Sequence, residues 1–299
     1  MLTLVTGCRG RIGSTLVSLL HRDGHAVRAA SRNPGTLTAL PADVPIVACD
    51  LGDPTTFATA LDGVGSVFLY AEASCIDAFL TAAETAGVDH IVLLSSSSVL
   101  GPDAHSNPIA ASHHAAEQAL SASPLTTTLL RPGAFASNAF QWAESVRTHG
   151  SVGLPHPRSH ASPIHGTDIA EAALAVLTDP RLQGAAYHLT GPESLTAAEQ
   201  VGLLAAAAGR PITVDTVTEE AWKKSMASFV PEPIADALLA YSAATDGSPA
   251  EVTGDTEKLT GHPARTFATW AEEHAAAFRP RAQHPVPKPL ADAPRAMTS

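Results

Sequence analysis

One stretch near the start of this chain constrains its fold more than any other. An apolar segment at 2–6 runs straight into Thr6-Gly7-Cys8-Arg9-Gly10-Arg11-Ile12-Gly13 and on into a helical pattern. Glycines at that spacing, where a strand hands over to a helix, meet three separate needs. Gly7 permits the tight turn, Gly10 lets the backbone approach a pyrophosphate, and Gly13 lets the helix pack against the strand. The helix start, at Arg11 and Ile12, adds unpaired N–H groups and the positive end of the helix dipole. Such a loop opens a βαβ unit whose crossover is right-handed.

The rest of the first half continues the alternation. Apolar runs at 26–30, 46–49, 66–70, 91–95 and 126–130 read as strands, apolar on both faces as in a covered parallel sheet. Helical patterns fall between them at 11–21, 55–61, 74–86 and 109–121. The fold class expected is α/β, a Rossmann-type doubly wound parallel sheet with a smaller C-terminal substrate-binding part. The second half is less regular. Helices are expected at 135–148, 168–177, 197–208, 219–227, 233–241 and 266–278, and strands at 186–189 and 212–215. A Pro-, Gly- and His-rich loop is expected at 150–163. The division expected is a dinucleotide-binding unit over 1–180 with a cleft insert at about 133–163. A substrate-binding part over 181–278 and a disordered, proline-rich tail over 279–299 follow.

Composition excludes several classes. The net charge of −11 argues against nucleic acid, which demands a basic face. No apolar run reaches membrane-spanning length, and the start lacks a charged region ahead of an apolar one, so neither a membrane span nor a secretory signal is expected. Three cysteines, Cys8, Cys49 and Cys75, are irregularly spaced and read as reduced thiols of a cytoplasmic protein. Fourteen histidines raise the question of a metal. His156, His160 and His165 sit in a loop without ligand spacing or a carboxylate pair, so no metal is expected. A monomer or homodimer is expected.

The end of the second strand chooses the cofactor. A site for NAD places a carboxylate there for the ribose 2′-hydroxyl. This chain has Ser31 and Arg32, whose hydroxyl and guanidinium suit a 2′-phosphate, and Arg9 can clamp the same group. NADPH (or NADP) is therefore expected, with NADH as the alternative. Asp50 and Leu51 follow the third strand, beside the adenine, and Tyr70 and Ala71 end the fourth, beside the adenosine ribose.

The glycine loop, the Asp50-Leu51 pair and the serine-rich end of the fifth strand together resemble the extended short-chain dehydrogenase/reductase superfamily. LLRPGAFASN (129–138), SPIHGTDIA (162–170), YHLTGPESLTAAEQ (187–200) and DTEKLTGHPARTFATWAEEH (255–274) resemble its atypical NmrA and triphenylmethane-reductase-like branch. The resemblance implies a cleft between the sheet and the C-terminal part. It also implies that Pro132, Gly133, Ala134 and Phe135 flank the nicotinamide. Extended members carry a helix reading Y-G-x-S-K-x-x-x-E-Q-x-L, in which the tyrosine moves the proton and the lysine tunes it. Here Ser112, Glu117, Gln118 and Leu120 fix the register, which puts Ile109 at the tyrosine and His113 at the lysine. The acid/base pair is absent.

What remains is Ser96, at the catalytic serine position, with Ser98 beside it as a second hydroxyl, and His113 for the nicotinamide ribose. Glu117 is read as structural. Asn138, Gln141, Trp222, Met226 and Phe229 are expected to line the pocket of a flat aromatic substrate. Losing the pair restricts reduction to activated acceptors. The reading is an NADPH-dependent ketoreductase for bulky polycyclic aromatic natural products, similar to atypical ketoreductases of angucycline-type antibiotic biosynthesis. The alternatives are a quinone, enone or dye reductase, or a non-catalytic NADP(H) sensor. Segment 231–241 is a candidate lid.

Overall fold

A computed structural model describes residues 1–37 and 40–280 of the chain. The strands are β1 (Leu2–Val5), β2 (Val27–Ser31), β3 (Ile46–Ala48), β4 (Val64–Tyr70), β5 (His90–Leu94), β6 (Thr126–Pro132), β7 (Ser151–Leu154), β8 (His160–Ala161), β9 (Ala186–Leu189), β10 (Leu195–Thr196) and β11 (Thr213–Thr216). The first helices are α1 (Arg11–Arg22), α2 (Phe57–Leu61), α3 (Ile76–Ala86), α4 (Ala111–Ala122), α5 (Ala143–His149) and α6 (Gly166–Thr178). Then come α7 (Ala197–Ala208), α8 (Glu219–Met226), α9 (Glu232–Ala244), α10 (Asp255–Thr260) and α11 (Phe267–Glu273).

Seven strands form one parallel sheet in the order β3-β2-β1-β4-β5-β6-β9. The order reverses at β1, so the strand ends on either side diverge and open a crevice there. Every residue of β5, His-Ile-Val-Leu-Leu, is buried, because helices cover both faces of the sheet. Helix α1 buries Ile12, Leu16, Val17, Leu19 and Leu20 along one stripe against the sheet and α6. Ala170, Ala172 and Ala173 of α6 are fully buried, and side chains this small let the two helices approach closely.

Three sequence expectations change. The helix expected at 135–148 is a 3-10 segment, Ala136–Trp142, followed by α5. The loop expected at 150–163 contains β7 and β8, which pair with β11 and β10 as two small sheets. Those pairings are long-range, so local composition does not announce them. Helix α10 was not expected. Strand β9, after residue 180, completes the sheet by pairing with β6. The expected tail, apart from residues 279 and 280, lies outside the described residues.

Two ionic networks brace the fold, and one of them ties the C-terminal part to α6. Asp168, fully buried on α6, accepts from the Arg265 backbone N–H at 2.8 Å and pairs with the Arg265 guanidinium. The same guanidinium reaches Glu171, which also pairs with His262. Asp168, Glu171 and His262 lie close enough to hold a metal ion, but Arg265 already spans both carboxylates and supplies the positive charge. Glu117 on α4 accepts from Ser95 at 2.6 Å and from Arg131 on β6 at 2.9 and 2.6 Å. That clamp fixes α4 against the C-terminal ends of β5 and β6. Glu117→Ala strands the half-buried Arg131 charge and is expected to lower unfolding free energy by about 3 kcal/mol, read by denaturant titration.

His90 begins β5, at the opposite edge of the sheet from the glycine loop. It is 2% exposed, and its Nε2 meets Thr128 Oγ1 at 2.8 Å. Its Nδ1 has no partner, and burial pushes its pKa down to about 4. The unfolded chain takes up this proton near pH 6.5, the folded chain only near pH 4. Stability is therefore complete above that window and falls as pH drops through it. His90 alone accounts for about 3 kcal/mol of the loss. Urea titrations at about pH 7 and about pH 4.5 should show it, and His90→Gln should flatten that part of the profile.

Candidate functional site

The glycine loop is built as its residues require. Gly7 adopts φ 68°, in the left-handed region that glycine tolerates. A Cβ on Gly13 would sit 2.7 Å from the Gly7 carbonyl oxygen, so only glycine allows α1 this close to β1. No side chain caps α1 and no acid occupies its first turn, which leaves its first N–H groups open to a phosphate.

A cleft of about 660 Å³ lies against this loop. Gly7, Arg9 and Gly10 form one wall, and Ser31 and Arg32 stand at the end of β2. Asp50, Leu51 and Tyr70 line it as expected from sequence. Arg9 and Arg32 are exposed and make no ion pair among the described residues, so both are free for a 2′-phosphate. Asp50 accepts from the Gly52 N–H at 3.1 Å, which shapes this end of the cleft. Sequence reasoning missed Thr6, Cys8, Asn33, Cys49, Gly52 and Glu72 in this lining. All follow or end the strands beside the switch point, and that position was the available signal. Burial pushes the Cys8 thiol up to about 12 and the Cys49 thiol up to about 11, which removes both as nucleophiles.

Tyr70 lies across the loop. A Cβ on Gly7 would fall 2.4 Å from its ring, and one on Gly10 would fall 3.4 Å from its hydroxyl. Burial pushes its pKa up to about 12, so it stays a neutral phenol. Tyr70 also lines a second cavity, of about 530 Å³. There it meets Arg11, Phe135, Phe140, Trp270 and His274. Arg11 thus departs from expectation: its backbone opens α1, but its side chain faces this second cavity. Ile12 and Phe135 also line the second cavity rather than the nucleotide cleft, and Ala71 packs against the hydrophobic cluster around Phe57 and Phe79.

The end of β5 carries the expected hydroxyls. Ser96 Oγ accepts from the Ser98 N–H at 3.2 Å and lies 2.9 Å from Ser98 Oγ. With Ser98 donating twice, both Ser96 lone pairs are engaged and its own hydrogen is free to be given away. Ser97 Oγ stands against Gly133, where a Cβ would meet it at 3.8 Å, so the Pro132-Gly133-Ala134 turn abuts the β5 loop. His113 sits on α4 one turn before Glu117. Burial holds it below the usual histidine range, and its Nδ1 is buried without a partner. Ile109 precedes α4, in a turn where its N–H donates to Asn107. The structure does not gather the aromatic residues expected around the substrate. Asn138 and Gln141 are exposed, Phe229 is 80% exposed, and Trp222 and Met226 lie on α8, which packs against α9 away from both cavities.

His156 and His160 each have their own polar partner, Glu219 and Ser194. His165 caps α6 through Nδ1 and reaches Glu273 through Nε2.

These features define a dinucleotide-binding oxidoreductase, and comparison with known proteins agrees. A family model described as NAD(P)H-binding matches residues 7–180. The chain is 34% identical over 281 residues to (4-alkanoyl-5-oxo-2,5-dihydrofuran-3-yl)methyl phosphate reductase of Streptomyces griseus, covering 93% of this chain and 99% of that one. It is 36% identical over 285 residues to the NAD(P)H azoreductase of Xenophilus azovorans, covering 92% and 98%. The NADPH-dependent quinone oxidoreductase of Escherichia coli, solved with NADPH, superposes with TM-score 0.78 at 26% identity, over 91% of this chain and 99% of that one. The triphenylmethane reductase of Citrobacter sp., solved with NADP(H), shares the fold with TM-score 0.78 at 22% identity, over 92% and 100%. The chain belongs to this NAD(P)H-binding family, in the atypical short-chain dehydrogenase/reductase branch. It is an NAD(P)H-dependent oxidoreductase. No helix among the described residues is long and apolar enough to cross a membrane.

Arg32→Ala should weaken NADPH binding at least roughly tenfold while changing NADH binding far less. Fluorescence titration with both nucleotides reads the ratio.

Proposed function

We propose that the protein is an NADPH-dependent reductase of flat, conjugated, electron-poor small molecules, quinones and enones foremost. The observation that carries this is the end of β5: a serine hydroxyl free to donate, next to a helix with no tyrosine or lysine to drive harder chemistry. The nicotinamide, when bound, supplies a hydride. The chain positions the acceptor and steadies the oxygen on which charge collects. Ser96 donates to that oxygen, and Ser98 holds Ser96 in place through its N–H and hydroxyl. The buried, unpartnered Nδ1 of His113 fits a ribose hydroxyl, the second task of the missing lysine. The Glu117–Arg131 clamp orients the helix that carries His113.

A quinone or enone delocalises the incoming charge, so one modest donor suffices. An isolated ketone does not, and so makes a poor substrate. A polycyclic aromatic ketone with a neighbouring phenol brings its own donor, and angucycline-type ketones of secondary metabolism are the narrowest form of this reading. The relatives named above support it, since they are named for acting on a furanone, azo compounds and quinones. Three unpaired cysteines are in keeping with a reducing cytoplasm.

The test follows NADPH absorbance with menadione, an azo dye, cyclohexenone and a hydroxylated polycyclic ketone. Consumption with recovery of reduced product is expected. Tight NADPH binding with no consumption across the panel would make the protein a sensor instead. Ser96→Ala should lower kcat about 100-fold with little change in KM. Full turnover in that variant would remove Ser96 from the mechanism.

A further inference from the structure

The second cavity holds a cation that nothing in the nucleotide cleft explains. The Arg11 guanidinium carbon lies 4.6 Å from the centroid of the Phe140 ring. Its Nη1 is 2.8 Å from His274 Nε2. His274 Nδ1 lies 2.8 Å from the Trp270 carbonyl oxygen, so Nδ1 carries the hydrogen and Nε2 presents its lone pair to Arg11. Trp270 stacks on His274 at 4.6 Å, and Phe140 meets Trp270 edge-on at 4.9 Å. An arginine on the first turn of α1 is thus held by an aromatic wall of Phe140, Trp270 on α11, and His274, the last 263 positions away in the chain.

Arg11 has no carboxylate partner among the described residues. The carboxylate that lines the same cavity, Glu273, accepts from His165 Nε2 at 3.0 Å, and His165 Nδ1 in turn accepts from the Thr167 N–H. Glu273 spends one oxygen on the His165 bond and makes no ion pair with Arg11. Arg11 spends one N–H on His274 and keeps others unused. Holding a long side chain still costs conformational entropy. A guanidinium fixed beside flat aromatic surface, without a counter-ion, is prepared for a ligand that brings both an anion and a flat body. Ser14, Ser137 and Thr167 add hydroxyls to the same cavity.

We propose that this cavity receives the far half of the substrate, and that Arg11 anchors an anionic group on it: a carboxylate, phosphate or sulfonate carried by a flat conjugated body. The proposal rests on the reductase reading above and narrows it from conjugated acceptors to acidic ones. Phe135 and Tyr70 line the cavity, so an acceptor anchored here extends back towards the turn at Pro132-Gly133 and the Ser96 hydroxyl.

The test measures binding rather than turnover. Naphthalene-2-sulfonate and the neutral 2-naphthol are titrated calorimetrically into the protein saturated with NADP, for wild type and for Arg11→Met, which keeps an unbranched stem. Wild type should bind the sulfonate at least roughly tenfold more tightly than the naphthol, and Arg11→Met should erase that preference. Phe140→Leu, which removes the ring under the guanidinium, should reduce it about threefold. Equal affinity of wild type for both probes would overturn the proposal. So would a preference that survives in Arg11→Met while NADP binding weakens, because Arg11 would then serve the cofactor pyrophosphate. The reductase reading fails on a different result, the absence of NADPH consumption with menadione, so the two are separable.

Discussion

The close approach of α1 to β1 underlies everything else in this molecule. Gly13 stands where any Cβ would press on the Gly7 carbonyl oxygen. That contact sets the start of α1 at the carboxyl edge of the sheet, with its N–H groups uncapped. Both cavities are built outward from this one helix turn. Arg9 and Gly10 face the nucleotide cleft, and Arg11 faces the aromatic cavity. A larger residue at 13 would shift the helix and misplace both.

The site divides labour between a general part and a particular one. The nucleotide cleft uses backbone, two free arginines and the ends of β1 to β4, and it asks little of individual side chains. The chemistry at the end of β5 is sparse: one oriented serine, a half-buried histidine held below its usual pKa range, and no strong acid or base. Tyr70 does not restore the missing pair, since burial keeps it a neutral phenol across the glycine loop. A site of this kind relies on position and on the reactivity of its substrate. The aromatic cavity is walled by Trp270, Phe140 and His274, which pack ring against ring.

Buried ion pairs join the parts. Glu117 holds Ser95 and Arg131 together under the ends of β5 and β6. Asp168 and Glu171 hold Arg265, which leads into α11 and so into the aromatic wall. Neither network lies in the lining of the two cavities, and the Asp168–Arg265 network fixes α11, which does line one. Removing either partner would leave an uncompensated charge, so these pairs act as positional locks.

The sequence by itself determined the parallel sheet, the glycine loop that opens it, and the absence of a Tyr–Lys pair on α4. Those features are local: glycine spacing, doubly apolar strands and residues counted from a strand end are read within a dozen positions. Only the tertiary structure decided where the aromatic surface lies. Trp222, Met226 and Phe229 look suitable by composition, but α8 packs against α9 and leaves them outside both cavities. Trp270 and His274 meet Arg11 because α11 folds back across the sheet edge, a contact over 263 positions. The small sheets β7–β11 and β8–β10 escaped for the same reason. Long-range pairings depend on which surfaces the whole chain brings together, and no window of sequence contains both halves.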